Sequence, residues 1–299
     1  MISCRKIFLL AISLLFMLSA YAVAWPSSRD KAKHLCQEGI AMKKAGNQLA
    51  AVRLFNAAIS ADSTYTEAYC ELGDAYFVSR HYQEALLACI KARRLGAVSV
   101  SKLIGLSYYQ LNRYDEALEA LEEARAEEPS NGTIPFRIAQ LYAQRGEYQQ
   151  SILYYQSALK LDSLDAQGWY ELGMMHYNVA GYTASMVAFQ HALDAGFKAD
   201  DGFLLNAGVA AMQAGQLDKS LTFLQQAYDR HPEDETILFN LAHVTYRKND
   251  FASAVINWEK LLKRKPTDAF VKFMLGKSYI GLGEKEKGMA LCDAAAAEK

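Results

Sequence analysis

Five cysteines and six histidines are the residues of this 299-residue chain best suited to ligate a metal, carry a redox pair or serve as nucleophile and base. Their spacing offers none of these. Cys4, Cys36, Cys70, Cys89 and Cys292 include no CxxC pair. His34, His81, His176, His191, His231 and His243 are scattered, and none stands with a carboxylate or cysteine at metal-ligand spacing. HExxH, the phosphate-cradling P-loop and GxSxG are all absent from the sequence. No catalytic residue, metal site or cofactor is expected, and the chain reads as a non-enzyme.

Charge excludes a second class. Lys plus Arg number 32 against 33 Asp plus Glu, a formal charge of −1, whereas nucleic-acid binding needs a basic excess or stripe. The acidic run Asp115, Glu116, Glu119, Glu122, Glu123, Glu127 and Glu128 and the basic group Lys260, Lys263, Arg264 and Lys265 both read as solvated helix faces.

The elements that carry these residues follow from a periodic small residue. Gly39, Gly73, Gly105, Ala139, Gly173, Gly208, Ala242 and Gly276 follow one another at spacings of 34, 32, 34, 34, 35, 34 and 34 residues. That is the signature of stacked repeats. Taking this residue as position 8, position 20 is also small (Ala51, Ala85, Ala117, Ser151, Ser185, Ser220, Ala254, Gly288). Position 27 is Ala in every repeat except for Leu261, and position 24 is bulky: Phe55, Leu121, Tyr155, Phe189, Leu224 and Trp258, with Cys89 and Cys292. Small residues at 8, 20 and 27 let two helices approach, and position 24 fills the remaining space. Trp169, Leu172, Gly173 and His176 show the helical period on a first helix of one repeat, and Ser185, Ala188, Phe189 and Ala192 show it on a second. Glycine or asparagine occupies the turn between the helices in six repeats, and Pro129, Pro232 and Pro266 share position 32, ending the second helix.

These columns resemble the tetratricopeptide repeat, with Trp at 4, Leu-Gly at 7–8, Tyr at 11, Ala at 20, Phe at 24, Ala at 27 and Pro at 32. The segments AYCELGDAYFVSRHYQEALLACIKA and GWYELGMMHYNVAGYTASMVAFQHALDAG carry the likeness most fully. The resemblance implies an all-α, right-handed solenoid of helix-turn-helix units over 32–65, 66–97, 98–131, 132–165, 166–200, 201–234, 235–268 and 269–299, after a short leader, 25–31. It predicts slight bends at the 32- and 35-residue steps, a packed imidazole at His176 in a core tyrosine position, and a solvating role for the last helix. Cys36 and Cys70 then occupy equivalent places on adjacent helices, ~8–10 Å apart, beyond the ~7 Å Cα separation of a disulfide. Free thiols are expected.

The resemblance also implies a concave groove lined by positions 5, 9 and 12 of the first helices. From the fourth repeat on these are aromatic and apolar, with interspersed hydrogen-bonding groups. The candidate partner-binding residues are Phe136, Gln140, Tyr170, Tyr177, Asn178, Leu205, Asn206, Phe239, Asn240, His243, Tyr246 and Phe273. Apolar rings with polar side chains between them suit an extended peptide or an amphipathic helix of a protein partner. Self-association in an envelope assembly is the alternative reading.

The first residues form a separate segment. Arg5 and Lys6 precede an apolar run from Ile7 to Leu18, and Ala22-Val23-Ala24 fits a signal-peptidase site. A signal peptide over 1–24 is expected. The run falls short of the ~20 residues of a spanning helix, and no cysteine follows it for lipid attachment. The protein is therefore expected to be exported, periplasmic or envelope-associated, without lipid anchor or transmembrane span. Cleavage would take the formal charge to −3.

Overall fold

The computed structural model describes residues 27–297, so the expected signal peptide and its cleavage site lie outside the described residues. Among these residues the structure is sixteen helices and no strand. The chain divides between Pro129 and Ser130 into two compact units. The N-terminal unit holds three hairpins: α1 (Ser28–Lys44) with α2 (Gln48–Ala61), α3 (Thr66–Val78) with α4 (Tyr82–Arg94), and α5 (Ser101–Gln110) with α6 (Tyr114–Glu127). The C-terminal unit begins with α7 (Thr133–Gln144) and α8 (Tyr148–Leu161), α9 (Ala166–Asn178) and α10 (Tyr182–Asp194), and α11 (Asp201–Gln213) and α12 (Leu217–Arg230). It ends with α13 (Glu235–Arg247) and α14 (Phe251–Arg264), then α15 (Ala269–Leu282) and α16 (Lys285–Ala297).

The hairpins coincide with the 34-residue register, except at the start. Helix α1 begins at Ser28, inside the stretch read as a leader, because Ser27 and Asp30 form a reciprocal capping box. The Ser27 side chain accepts from the Asp30 N–H at 3.0 Å, and the Ser27 N–H donates to Asp30 Oδ2 at 3.2 Å.

Position 24 lies directly over position 8 in every hairpin where the latter is glycine. A Cβ built on Gly39 would fall 2.5 Å from Phe55 Cε1, on Gly173 2.5 Å from Phe189 Cδ1, and on Gly208 2.7 Å from Leu224 Cγ. Gly73 and Gly276 are covered by the Sγ atoms of Cys89 and Cys292. The alanines of positions 20 and 27 complete the interface: Ala51, Ala58, Ala85, Ala92, Ala117 and Ala124 are fully buried. Where position 20 is Ser151, its hydroxyl donates across the hairpin to the Ala139 carbonyl at 2.8 Å.

All eight intra-hairpin turns bend at position 15, and each time that residue has positive φ. Four are glycine and two asparagine, but Arg80 (φ 62°) and Ala180 (φ 57°) hold the same left-handed conformation with an ordinary side chain. The turn is a Schellman motif: Ala180 N–H donates to Tyr177 O at 3.0 Å and Gly181 N–H to His176 O at 2.8 Å. Second helices end in two ways. Asp62, Glu128, Asp162, His231 and Lys265 leave at position 31 with φ between −126° and −143°. At the 32- and 35-residue steps the same position is instead Gly96 (φ 91°) or Gly196 (φ 93°), left-handed.

Two predictions follow from these contacts. Gly173→Val drives a branched side chain into the Phe189 ring and should lower the unfolding free energy by about 1–3 kcal/mol, read from a urea titration. Ala180→Gly relieves a left-handed alanine, whereas Gly215→Ala, at an open turn with nothing within 4 Å of the new Cβ, imposes one. The first should raise and the second lower the thermal midpoint, each by the equivalent of about 1 kcal/mol.

Candidate partner-binding face

First helices pack on the next first helix in α1–α3 and α3–α5 of the N-terminal unit and in α11–α13 of the C-terminal unit. Second helices show no comparable contact with one another among the described residues. In those stacks the first helices thus form the more closely spaced side, where the candidate residues were expected.

In the C-terminal unit the position-5 rings rest on position 24 of their own hairpin. Phe136 meets Tyr155 edge-on with centroids 5.4 Å apart, and Phe239 meets Trp258 likewise at 5.4 Å. Tyr170 stacks on Phe189 at 5.8 Å and on Phe197 at 4.7 Å, and burial pushes its hydroxyl pKa up. Leu205 is half-buried against Met212, Leu224 and Leu241. Phe273 lies over Cys292, a smaller residue than the aromatic position-24 side chains, and remains 43% exposed. These side chains are backed by the core rather than free in the groove, and Tyr170 is held most firmly.

Position 12 serves the turn as much as the groove. Tyr177 packs edge-on against Tyr182 at 5.6 Å, and Tyr246 against Phe251 at 5.7 Å. The same contact joins Phe77 to Tyr82 and Tyr109 to Tyr114 in the N-terminal unit. The partner is position 17, the first residue of the second helix, an aromatic column outside the expected set. Its signal was the recurrence of Tyr82, Tyr114, Tyr148, Tyr182 and Phe251.

The amide groups are partly engaged within the protein. Asn206 Nδ2 donates to the Tyr170 hydroxyl at 3.3 Å, tying two hairpins together. Gln140 Oε1 accepts from Arg137 at 2.7 Å, and Asn240 Nδ2 donates to its own helix at the Thr236 carbonyl, 2.8 Å away. Asn178 is exposed at the end of α9. His243 lies 6.3 Å from the Phe239 ring, and burial, aided by the Arg247 charge, holds its pKa below the usual value. His176 is likewise lowered by burial.

Three residues outside the expected set join this face, Phe270, Arg137 and Thr133. Phe270 tilts against Phe239 at 5.7 Å, is 51% exposed, and with Phe273, Cys292 and Ala296 lines an apolar cavity of about 320 Å³. Arg137 and Thr133 border a more polar cavity of about 290 Å³ at Phe136.

The N-terminal unit differs. Its position 5 carries no ring, being Cys36, Cys70 and Lys102, and the charges on the corresponding face pair internally: Lys43 meets both Glu71 and, at 2.9 Å, Asp74, while Lys102 meets Glu128 at 2.9 Å. Part of the acidic run on α6 is paired as well, through Arg113–Glu116, Arg125–Glu122 and Arg93–Glu123. Cys36 and Cys89 are free thiols pushed up to about 12, chiefly by burial. They are not nucleophiles near neutral pH. Among the described residues no three His, Cys, Asp or Glu side chains converge as metal ligands, and no helix is long and apolar enough to cross a membrane.

Comparison with known proteins places this geometry. Models of the tetratricopeptide repeat match residues 102–166, 136–181 and 203–234. The human protein O-mannosyl-transferase TMTC1 is 22% identical over 214 residues, which cover 70% of this chain and 23% of that protein. The chain thus spans less than a quarter of that relative's length. Among solved structures, PilF of Pseudomonas aeruginosa has a TM-score of 0.58 and 19% identity, over 72% of this chain and 99% of PilF. YrrB, described as a tetratricopeptide-repeat protein with an unusual peptide-binding site, has a TM-score of 0.53 and 21% identity, over 61% of this chain and 93% of YrrB. At these identities the likeness concerns the fold alone. Family models over 102–181 and 203–234, matched folds and paired helices in a 34-residue register agree: the chain carries tetratricopeptide repeats and folds as a tetratricopeptide-repeat solenoid.

Proposed function

We propose that this repeat protein is a non-catalytic interaction scaffold that captures an extended peptide or amphipathic helix of a protein partner on the first-helix face of its C-terminal unit. The fold supports a protein-interaction role. The finer reading rests on one observation: the position-5 rings of this unit are held in place from behind by position 24 while part of each ring remains accessible. Rings already fixed lose little conformational entropy on binding, and apolar rings between polar groups match a segment with alternating character. In the N-terminal unit the equivalent position-5 residues are Cys36, Cys70 and Lys102, so that unit presents no braced ring there. Export to the envelope completes the proposal, supported by Arg5, Lys6, the apolar run and the Ala-Val-Ala site.

Peptides selected on the full chain from a random display library provide the test. Phe273→Ala and Asn240→Ala, at exposed or half-buried positions, should each weaken binding about tenfold, the ~1.4 kcal/mol expected of a moderate contact. Circular dichroism should be unchanged. Tyr170→Ala should lower stability as well, because three rings and an amide lean on it. Selected peptides that bind the Phe273 and Asn240 variants as tightly as the wild type would remove the first-helix face as the site.

A further inference from the structure

The last hairpin leaves open a seat that other hairpins fill. In each hairpin followed by another within its unit, position 24 is buried: Phe55, Cys89, Tyr155, Phe189, Leu224 and Trp258 are at most 1% exposed. The cover comes from positions 3, 7 and 10 of the next repeat, one face of its first helix at i, i+4 and i+7. Ala68, Leu72 and Ala75 pack with Phe55, and Phe203, Ala207 and Ala210 with Phe189. Every residue at these three positions of the covering repeats is buried, and none is charged.

Among the described residues no helix follows α16, and the seat beside it has no cover. Cys292, at position 24, is only half-buried. With Phe270, Phe273, Ala295 and Ala296 it lines the apolar cavity of about 320 Å³. Met289, at position 21, is 59% exposed, whereas Leu86, Ile152, Met186 and Val255 at that position are 2–7% exposed. The solvating face expected of α16 is thin: after Lys285, Glu286 and Lys287 its one charge is Asp293.

We infer that the seat between α15 and α16 docks an amphipathic helix of a different protein, with apolar side chains at i, i+4 and i+7, in the place that the next first helix takes in the other hairpins. Those hairpins supply the recognition rule, because the same register positions form the seat each time. Cys89, the other cysteine at position 24, packs with Val100 and Ile104, so branched aliphatic side chains suit Cys292. A second copy of this chain fits poorly. Its first helices from α3 onward bury their own i, i+4, i+7 faces. Helix α1 has that face exposed, but it consists of His34, Glu38 and Ala41, with His34 paired to Glu38 at 3.5 Å. Stacking α1 on the seat would desolvate this polar pair against apolar walls. The seat shares Phe270 and Phe273 with the first-helix face, but its far wall is α16, and the inference holds whether or not a peptide binds along the first helices.

The test is a fluorescence-anisotropy titration of the full chain with a lactam-bridged helix of about four turns. This peptide bears Val, Ile and Leu at i, i+4 and i+7 on a background of Ala, Gln and Lys. It should bind as a single helix per chain, and an isomer with the apolar residues at i, i+2 and i+5 should bind about tenfold more weakly or worse. Ala296→Glu should weaken binding by about tenfold; Ala296 is exposed, so circular dichroism should be unchanged. Leu164→Glu, 78% exposed in the loop before α9, should leave binding intact. The bound helix should also slow alkylation of Cys292 by iodoacetamide several-fold while leaving Cys70, the other half-buried thiol, unaffected. Display-selected peptides should still bind the Ala296 variant, and the bridged helix should still bind the Asn240→Ala variant, so the two sites fail separately. Absence of binding, equal binding of the isomer, indifference to Ala296→Glu or an unshielded Cys292 each overturns the inference. So does a chain whose mass doubles with concentration and which then excludes the helix, because the seat would belong to a second copy.

Discussion

The contact on which everything else depends is the one between position 24 and the missing or minimal side chain of position 8. Phe55, Phe189 and Leu224 each occupy the space that a Cβ on Gly39, Gly173 or Gly208 would need. The distance between the two helices of a hairpin is therefore set by one bulky side chain seated on bare backbone. Close-packed interiors tolerate little change of volume, so each hairpin has one spacing. Repetition of that spacing is what makes the stack regular.

The same contact determines what the first-helix face can offer. Position 5 lies beside position 8 on the first helix, and its rings rest on the position-24 side chain: Phe136 on Tyr155, Tyr170 on Phe189, Phe239 on Trp258. Recognition and stability therefore draw on shared residues. A ring braced from behind presents a fixed edge to a partner, but its removal also loosens the hairpin. Tyr170, wedged among Phe189, Phe197 and Phe203, is the extreme case, and Phe273 over Cys292 is the opposite one.

The chain's chemistry is quiet for equally local reasons. The thiols of Cys36 and Cys89 sit where burial keeps them protonated. Carboxylates that look like a charged patch in one dimension meet Arg113, Arg125, Arg93 and Lys102 in three. Charge pairing that bridges neighbouring hairpins, as from Lys43 to Glu71 and Asp74, occupies part of the N-terminal face, whose position 5 carries no ring.

The sequence by itself determined the repeat, its register and both helices of every hairpin. Those properties are local and periodic: a small residue every 34, a helical stripe on either side, and a turn residue that accepts positive φ. It also named the rings of the first-helix face. It did not show how those rings are used, because stacking depends on residues far apart in the chain. Phe197 reaches Tyr170 only because Gly196 reverses the backbone after α10, and Phe270 reaches Phe239 from the next hairpin. Nor could it show that positions 12 and 17 clasp the turn, since that pairing needs the bend at position 15 to bring the two rings together. The division at Pro129 and the Arg93–Glu123 and Lys102–Glu128 pairs were likewise decided by tertiary contacts. Periodicity specifies which side chains recur at each place; packing across hairpins decides which of them remain available to another molecule.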